Sequence, residues 1–282
     1  MTRQRDPRFS KRQLGRLLRT FREQAGKTQP EVAARMDWSV SKLIRIEKAA
    51  VGVSTTDLRA LLTEYGMHDD ELVTDLTNVA KESREQPWYA QFDSVTSEPF
   101  RRLLAYEGSA VAIHQFHPLL VPGHLQTREY ARAVLATVYS GAELDLALEA
   151  RMQRQQRLAE EPPRLVMLID EGAVRREIGG REVLHEQLRH LLVRTSEPTT
   201  CVRVVPYGAG AHPGLAGAFV LLELDEEISD TVLFEETAGK DYLANGDSDV
   251  VTAAWERFLA IEQSALTEAE TVTLLRGLLG EN

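Results

Sequence analysis

The stretch TQPEVAARMDWSVSKLIRIEKA, residues 28–49, decides the fold of the front of the chain. Thr28 and Glu31 stand at the spacing of a capping box, and Pro30 falls in the first turn, where the N–H it lacks would have no intrahelical partner. A helix is therefore predicted from Thr28, with Val32, Ala33 and Met36 as a narrow apolar stripe that lets a neighbour approach closely. Asp37, Trp38 and Ser39 read as a tight turn. Ser39 then caps a second helix, VSKLIRIEK, in which Leu43 and Ile46 face inward while Val40, Ser41, Ile44, Arg45 and Lys48 lie on other faces.

The flanks extend the same pattern. Upstream, Ser10 and Gln13 form a second capping-box spacing with Phe9 placed to staple onto Leu14, and Leu14, Leu17, Leu18, Phe21 and Ala25 mark one buried face that stops at Gly26. Downstream, Ser54 and Asp57 open a helix carrying Leu58, Leu61, Leu62 and Tyr65. Charge separates this front from the rest. Residues 1–60 hold 14 Lys and Arg against 6 Asp and Glu, whereas the remainder holds 19 against 37, within a net charge of -10 for all 282 residues. A basic module joined to an acidic body fits a reader of phosphate-rich nucleic acid carrying a separate sensing or partner domain.

Residues 28–49 resemble the helix-turn-helix of Xre-type and phage-repressor regulators, written T-Q-x-x-L-A-x-x-x-G-V-S-x-x-x-I-S-x-I-E-x-G, and the likeness extends over the first four helices. It implies an all-α, lambda-repressor-like domain whose third helix enters the major groove of double-stranded DNA. Carried over by position, Gln29 and Ser39 become phosphate contacts, Val40, Ser41 and Arg45 face bases, Lys42 serves either role and Lys48 joins the DNA-binding set. Arg22 and Glu47 become a structural ion pair that holds the third helix at its angle. Asp37 replaces the glycine of the turn, which predicts a slightly strained or differently shaped turn. Val40 can read a base only by apolar contact with a thymine methyl. Ala49 replaces the glycine that ends the third helix, leaving the stop to Gly52.

Residues 68–84, HDDELVTDLTNVAKESR, carry Leu72, Leu76, Val79 and Ala80 on one helical face, for packing on the helical domain or for a dimer contact. The expected divisions are 8–66 for the helix-turn-helix domain, 67–87 for a linker helix and 88–282 for a C-terminal α/β (α+β) domain. In the last, PFRRLLAYEGSAVAI reads as a helix, and RLVMLID, CVRVVPY, FVLLEL and TVLFEET as a sheet of about four strands flanked by helices. HPLLVPGHLQTREYARAVL, EPPRLVMLIDEGAVRREIGG, VRVVPYGAGAHPGLAGAFVLLEL and FEETAG together resemble the C-terminal domain of the actinobacterial regulator group that includes WhiJ-like proteins. That likeness implies an antitoxin-like regulator encoded beside a very small partner protein.

Catalytic signatures are weak. GAGAHPG has the wrong spacing for a dinucleotide loop, and Pro213 interrupts any helix opening behind it. His114 and His117 lack a nearby Cys or carboxylate for a metal set, so no metal, no cofactor and no enzyme activity is expected. Cys201 reads as a small buried hydrophobe. The loop residues His212 and Gly214, with Glu236 and Tyr242 near strand ends, either line a pocket for an effector or partner, or only shape turns over the sheet end. No apolar run approaches a membrane span, so a soluble cytoplasmic protein without membrane contact is expected. The working expectation is a homodimeric repressor or activator modulated by a small effector. The alternatives are an autoregulator that captures a small partner protein, and an enzyme fused to a DNA-binding module.

Overall fold

A computed structural model describes residues 6–224, 231–235, 242–245 and 248–281. The chain forms two compact units, one ending at Ala90 and one starting at Gln91.

The first unit consists, among the described residues, of α1 (Pro7–Gln24), α2 (Gln29–Arg35), α3 (Val40–Glu47), α4 (Thr55–Glu64) and α5 (Asp70–Glu82). Helix α1 starts at Pro7 rather than after Ser10: Asp6 caps the Arg8 N–H, with proline in the first turn. Ser10 is consequently buried inside the helix. The capping box at Thr28 and the caps at Ser39 and Ser54 form as their spacings predict. Leu14, Leu18, Val32, Leu43, Ile46, Leu58, Leu61 and Leu62 make one core, and Leu76 and Ala80 of α5 enter that same core. The segment expected as a linker helix is thus a fifth member of the bundle.

All four of the first helices end on a residue in left-handed conformation. Two are glycines, Gly26 (φ 65°) and Gly66 (φ 75°); the others are Asp37 and Ala49, each with φ 54°. The Trp38 N–H reaches back to the Ala33 carbonyl (2.8 Å) and the Ala50 N–H to that of Arg45 (2.8 Å), the closures of a Schellman-type stop. Helix α3 is therefore stopped by Ala49, two residues past Glu47, and not by Gly52. The turn at Asp37 keeps the geometry of the glycine it replaces.

The second unit carries a six-stranded mixed sheet, not one of about four strands. After α6 (Glu98–Glu107) come β1 (Ala112–His117), α7 (Arg128–Leu135), α8 (Gly141–Glu160), β2 (Arg164–Asp170), α9 (Glu171–Arg175), α10 (Arg181–Arg194) and β3 (Thr200–Val205). Then follow β4 (Phe219–Glu223), β5 (Thr231–Glu235), β6 (Tyr242–Asn245), α11 (Asp249–Ser264) and α12 (Glu268–Leu279). The order is β3-β2-β1-β4-β5-β6, with β1, β2 and β3 parallel and the pairs β1–β4, β4–β5 and β5–β6 antiparallel. The two unforeseen strands are β1, whose AIHQFH carries three polar residues, and the short β6.

Helix α11 covers one sheet face, where Phe258 and Ile261 meet Phe116, Leu168, Phe219, Leu221 and Leu233 in a common core. Since side chains alternate along a strand, Gln115 and His117 of β1 lie on the opposite face. Among the described residues no helix is long and apolar enough to cross a membrane.

Candidate nucleic-acid interface

Helix α3 is held at both ends and exposed between them. Leu43 and Ile46 are sealed in the core, and the Ser39 hydroxyl accepts the Lys42 N–H at the start. At the other end Arg22 of α1 grips Glu47 with two hydrogen bonds, Nε to Oε1 at 2.6 Å and Nη2 to Oε2 at 3.1 Å. Both side chains are buried, and the hydrogen bond to Glu47 is the chief cause of a raised Arg22 pKa. Arg22 Nη1 also donates to the Lys27 carbonyl at 2.9 Å, tying in the loop before α2. Satisfied on both partners, the pair fixes an angle rather than adding much net stability.

Gln29, placed at the start of α2, joins this network: its Nε2 donates to Glu47 Oε2 at 2.7 Å. That bond uses one of the two N–H donors of the amide and leaves the other for a phosphate. Lys42 is similarly engaged, its Nζ lying 3.2 Å from Asp57 Oδ2 and 3.6 Å from the centroid of the Trp38 ring. Neither link is visible in residue spacing, because each joins positions on different helices.

The remaining positions stand open. Ser39, Ser41, Arg45 and Lys48 are exposed, and Val40 is 37% exposed. Among the described residues the Arg45 and Lys48 side chains have no hydrogen-bond or ion-pair partner. Two cations, a hydroxyl and one apolar branch along a rigid helix can meet a base-pair edge and its flanking phosphates.

The Gly-rich loop after β3 is a different matter. His212 is buried, its Nδ1 accepts the Gly214 N–H at 3.2 Å, and its Nε2 lies 3.5 Å from Asp170 Oδ2. Its ring meets Phe116 edge-on at 5.8 Å. A Cβ on Gly214 would come within 2.5 Å of the Phe116 ring, so this glycine is set by packing. Arg257 of α11 binds the carbonyls of Pro213 (3.2 Å) and Gly217 (2.7 Å) and fastens the loop further. Tyr242 lies on β6 and is 44% exposed, while Glu236 falls outside the described residues. His212 and Gly214 therefore meet each other in a packed cover over the sheet end, and Tyr242 stands apart on the edge strand.

His114 and His117, three apart on β1, project from opposite faces and cannot converge on one ion. No group of metal-binding side chains occurs among the described residues. The half-buried Cys201 thiol is pushed up to about 11, first by burial, and is correspondingly inert.

Residues 13–76 match the family model of a helix-turn-helix domain, and residues 100–277 match that of a domain of unknown function, DUF5753. No curated protein and no solved structure matches the chain.

Proposed function

The chain belongs to the DUF5753 family and carries a helix-turn-helix domain ahead of that region, and from this pairing we propose a sequence-specific DNA-binding transcription regulator whose C-terminal domain senses a small effector. The observation that carries the reading is the exposed, partner-free row of Ser41, Arg45 and Lys48 on a helix fixed by the buried Arg22–Glu47 pair. Val40, Ser41 and Arg45 face bases, and Ser39 and Lys48 meet phosphate. Gln29 orients Glu47 with one amide N–H and offers the other to phosphate, and Lys42 contributes charge from its seat on Trp38. A homodimer that sets one α3 in each of two half-sites about 34 Å apart would supply the affinity one small domain lacks.

The test is selection of genomic fragments by the full chain at near-physiological salt, followed by titration of the selected duplex. Arg45→Ala is expected to lose about 1–3 kcal/mol of discrimination at one base pair. Lys48→Ala should weaken all duplexes alike and lower the slope of log K against log salt by about 1. Equal effects of the two variants on specificity would contradict these assignments, and indifference of the wild-type chain to every duplex would remove the reading itself.

A further inference from the structure

The sheet face turned away from α11 borders a cavity of about 750 Å³, walled by β1, β4 and β5 on one side and by residues of α6, α7 and α8 on the other. This volume lies within the range of small-molecule sites, roughly 300–1,000 Å³. Most of the wall is apolar: Phe92, Phe100, Val134, Val138 and Phe234 supply ring and branched surfaces.

One part of the wall is polar. Gln115, His117 and Arg151 all line the cavity. Gln115 sits on a central strand at 9% exposure, and its amide Oε1 is buried without a hydrogen-bond partner among the described residues; a half-turn of the amide brings its N–H donors to that position. A buried amide atom left unpaired is unusual enough in a native fold to call for an explanation, and a ligand group is one. His117 Nδ1 accepts the N–H groups of Leu119 (3.2 Å) and Leu120 (3.0 Å), which leaves the proton on Nε2 as a donor. Burial and the neighbouring Arg151 keep this ring neutral, holding its pKa near 4. Arg151 donates to Gln126 Oε1 at 2.7 Å, which fixes its guanidinium in the wall. Arg154 is locked differently, held by both oxygens of the buried Glu107 and set over the Phe100 ring at 5.1 Å.

The geometry points to a receptor site in the C-terminal domain for a small amphipathic anion, its acceptor head on Gln115, His117 and Arg151 and its apolar body against Phe92, Phe100 and Val134. The site lies away from the His212 loop and shares none of its residues. This inference deepens the effector-sensing reading above and rests on it only for the consequence at DNA; the binding step stands or falls separately.

The test uses the full chain with 1-anilinonaphthalene-8-sulfonate as fluorescent probe and decanoate and decanol as competitors. One probe should bind per chain, and decanoate should displace it at least tenfold more effectively than decanol. Gln115→Leu should weaken decanoate about tenfold and leave decanol unchanged, a pattern that a merely structural role for the amide would not produce. Val134→Phe, which fills the cavity, should abolish both. Absence of saturable binding by the folded wild-type chain, or binding indifferent to both variants, overturns the site. The selected DNA duplex is then titrated with and without decanoate. A change in affinity supports the coupling of the site to DNA binding. Unchanged affinity with the probe still bound overturns the coupling and leaves the site standing.

Discussion

Asp37 and Ala49 stand in a backbone region that costs a side-chain-bearing L-residue roughly 1–2 kcal/mol. Asp37 stops α2 and Ala49 stops α3, so each sets where the chain turns towards the next helix. Replacing Ala49 with glycine removes the clash and adds back about 0.5–1 kcal/mol of chain entropy to the unfolded state. The expected net gain is on the order of 0.5–1 kcal/mol, and it should be smaller for Asp37→Gly, since Asp tolerates the left-handed region better than Ala. Urea midpoints of the full-length single variants check this, and a midpoint that falls in Ala49→Gly contradicts the strain argument. The contact at Gly15 has the opposite sign. A Cβ there would lie 2.8 Å from the Ile46 carbonyl oxygen and 2.9 Å from that of Glu47. Gly15→Ala, ordinarily worth about 1 kcal/mol in a helix interior, should therefore destabilise the helical domain and shift α3. The same denaturation measurement, joined to a loss of duplex affinity, tests it.

At the level of elements, what could be read from the chain was what local chemistry decides. Thr28 with Glu31, and Ser39 and Ser54 in front of apolar stripes, satisfy helix-end N–H groups within a few residues, so their signal is short-range and complete. Ser10 and Gln13 offered the same spacing, but Asp6 followed by Pro7 provides an earlier cap, and the helix ran through. Strand β1 escaped notice because His114, Gln115 and His117 break the apolar run that marks a buried strand, and its preceding residues continue a helical pattern. Its polar residues make sense only with distant partners: His114 Nε2 lies 2.5 Å from Glu223 Oε1, 109 positions on. The exposed cations of α3 were readable for the same reason as the caps, since a helix face is local. The engagement of Gln29 by Glu47, and the wall joining Gln115 to Arg151, were not. Both are made by tertiary packing.

For the molecule as a whole, acid should be more damaging than alkali to the C-terminal domain. His114, His117, His124 and His190 all have lowered pKa values, burial being the leading cause in each. The folded chain then holds fewer protons than the unfolded one below the ordinary value of 6.5, so stability is complete above 6.5 and falls as pH drops towards 4. His117 alone, lowered to about 4, accounts for something on the order of 3 kcal/mol. For Glu107 burial pushes the carboxyl up, but Arg154 and then His124 more than reverse this, to about 2. Its contribution is present above 4.5 and is lost as pH falls towards 2. Denaturant midpoints of the full chain at pH 7.5, 5.5 and 4.5 should decline in that order, and His117→Gln should flatten the decline. A midpoint independent of pH over this range would contradict the histidine contribution.

The antiparallel partner of β1 is β4, which begins at Phe219. During synthesis at about 5–20 residues per second, the first strand waits on the order of 5–20 seconds with that margin open after it leaves the ribosome. A bare strand margin recruits other chains. Ribosome-stalled or proteolysed fragments that stop short of Phe219 should consequently aggregate, while the complete polypeptide closes its own seam.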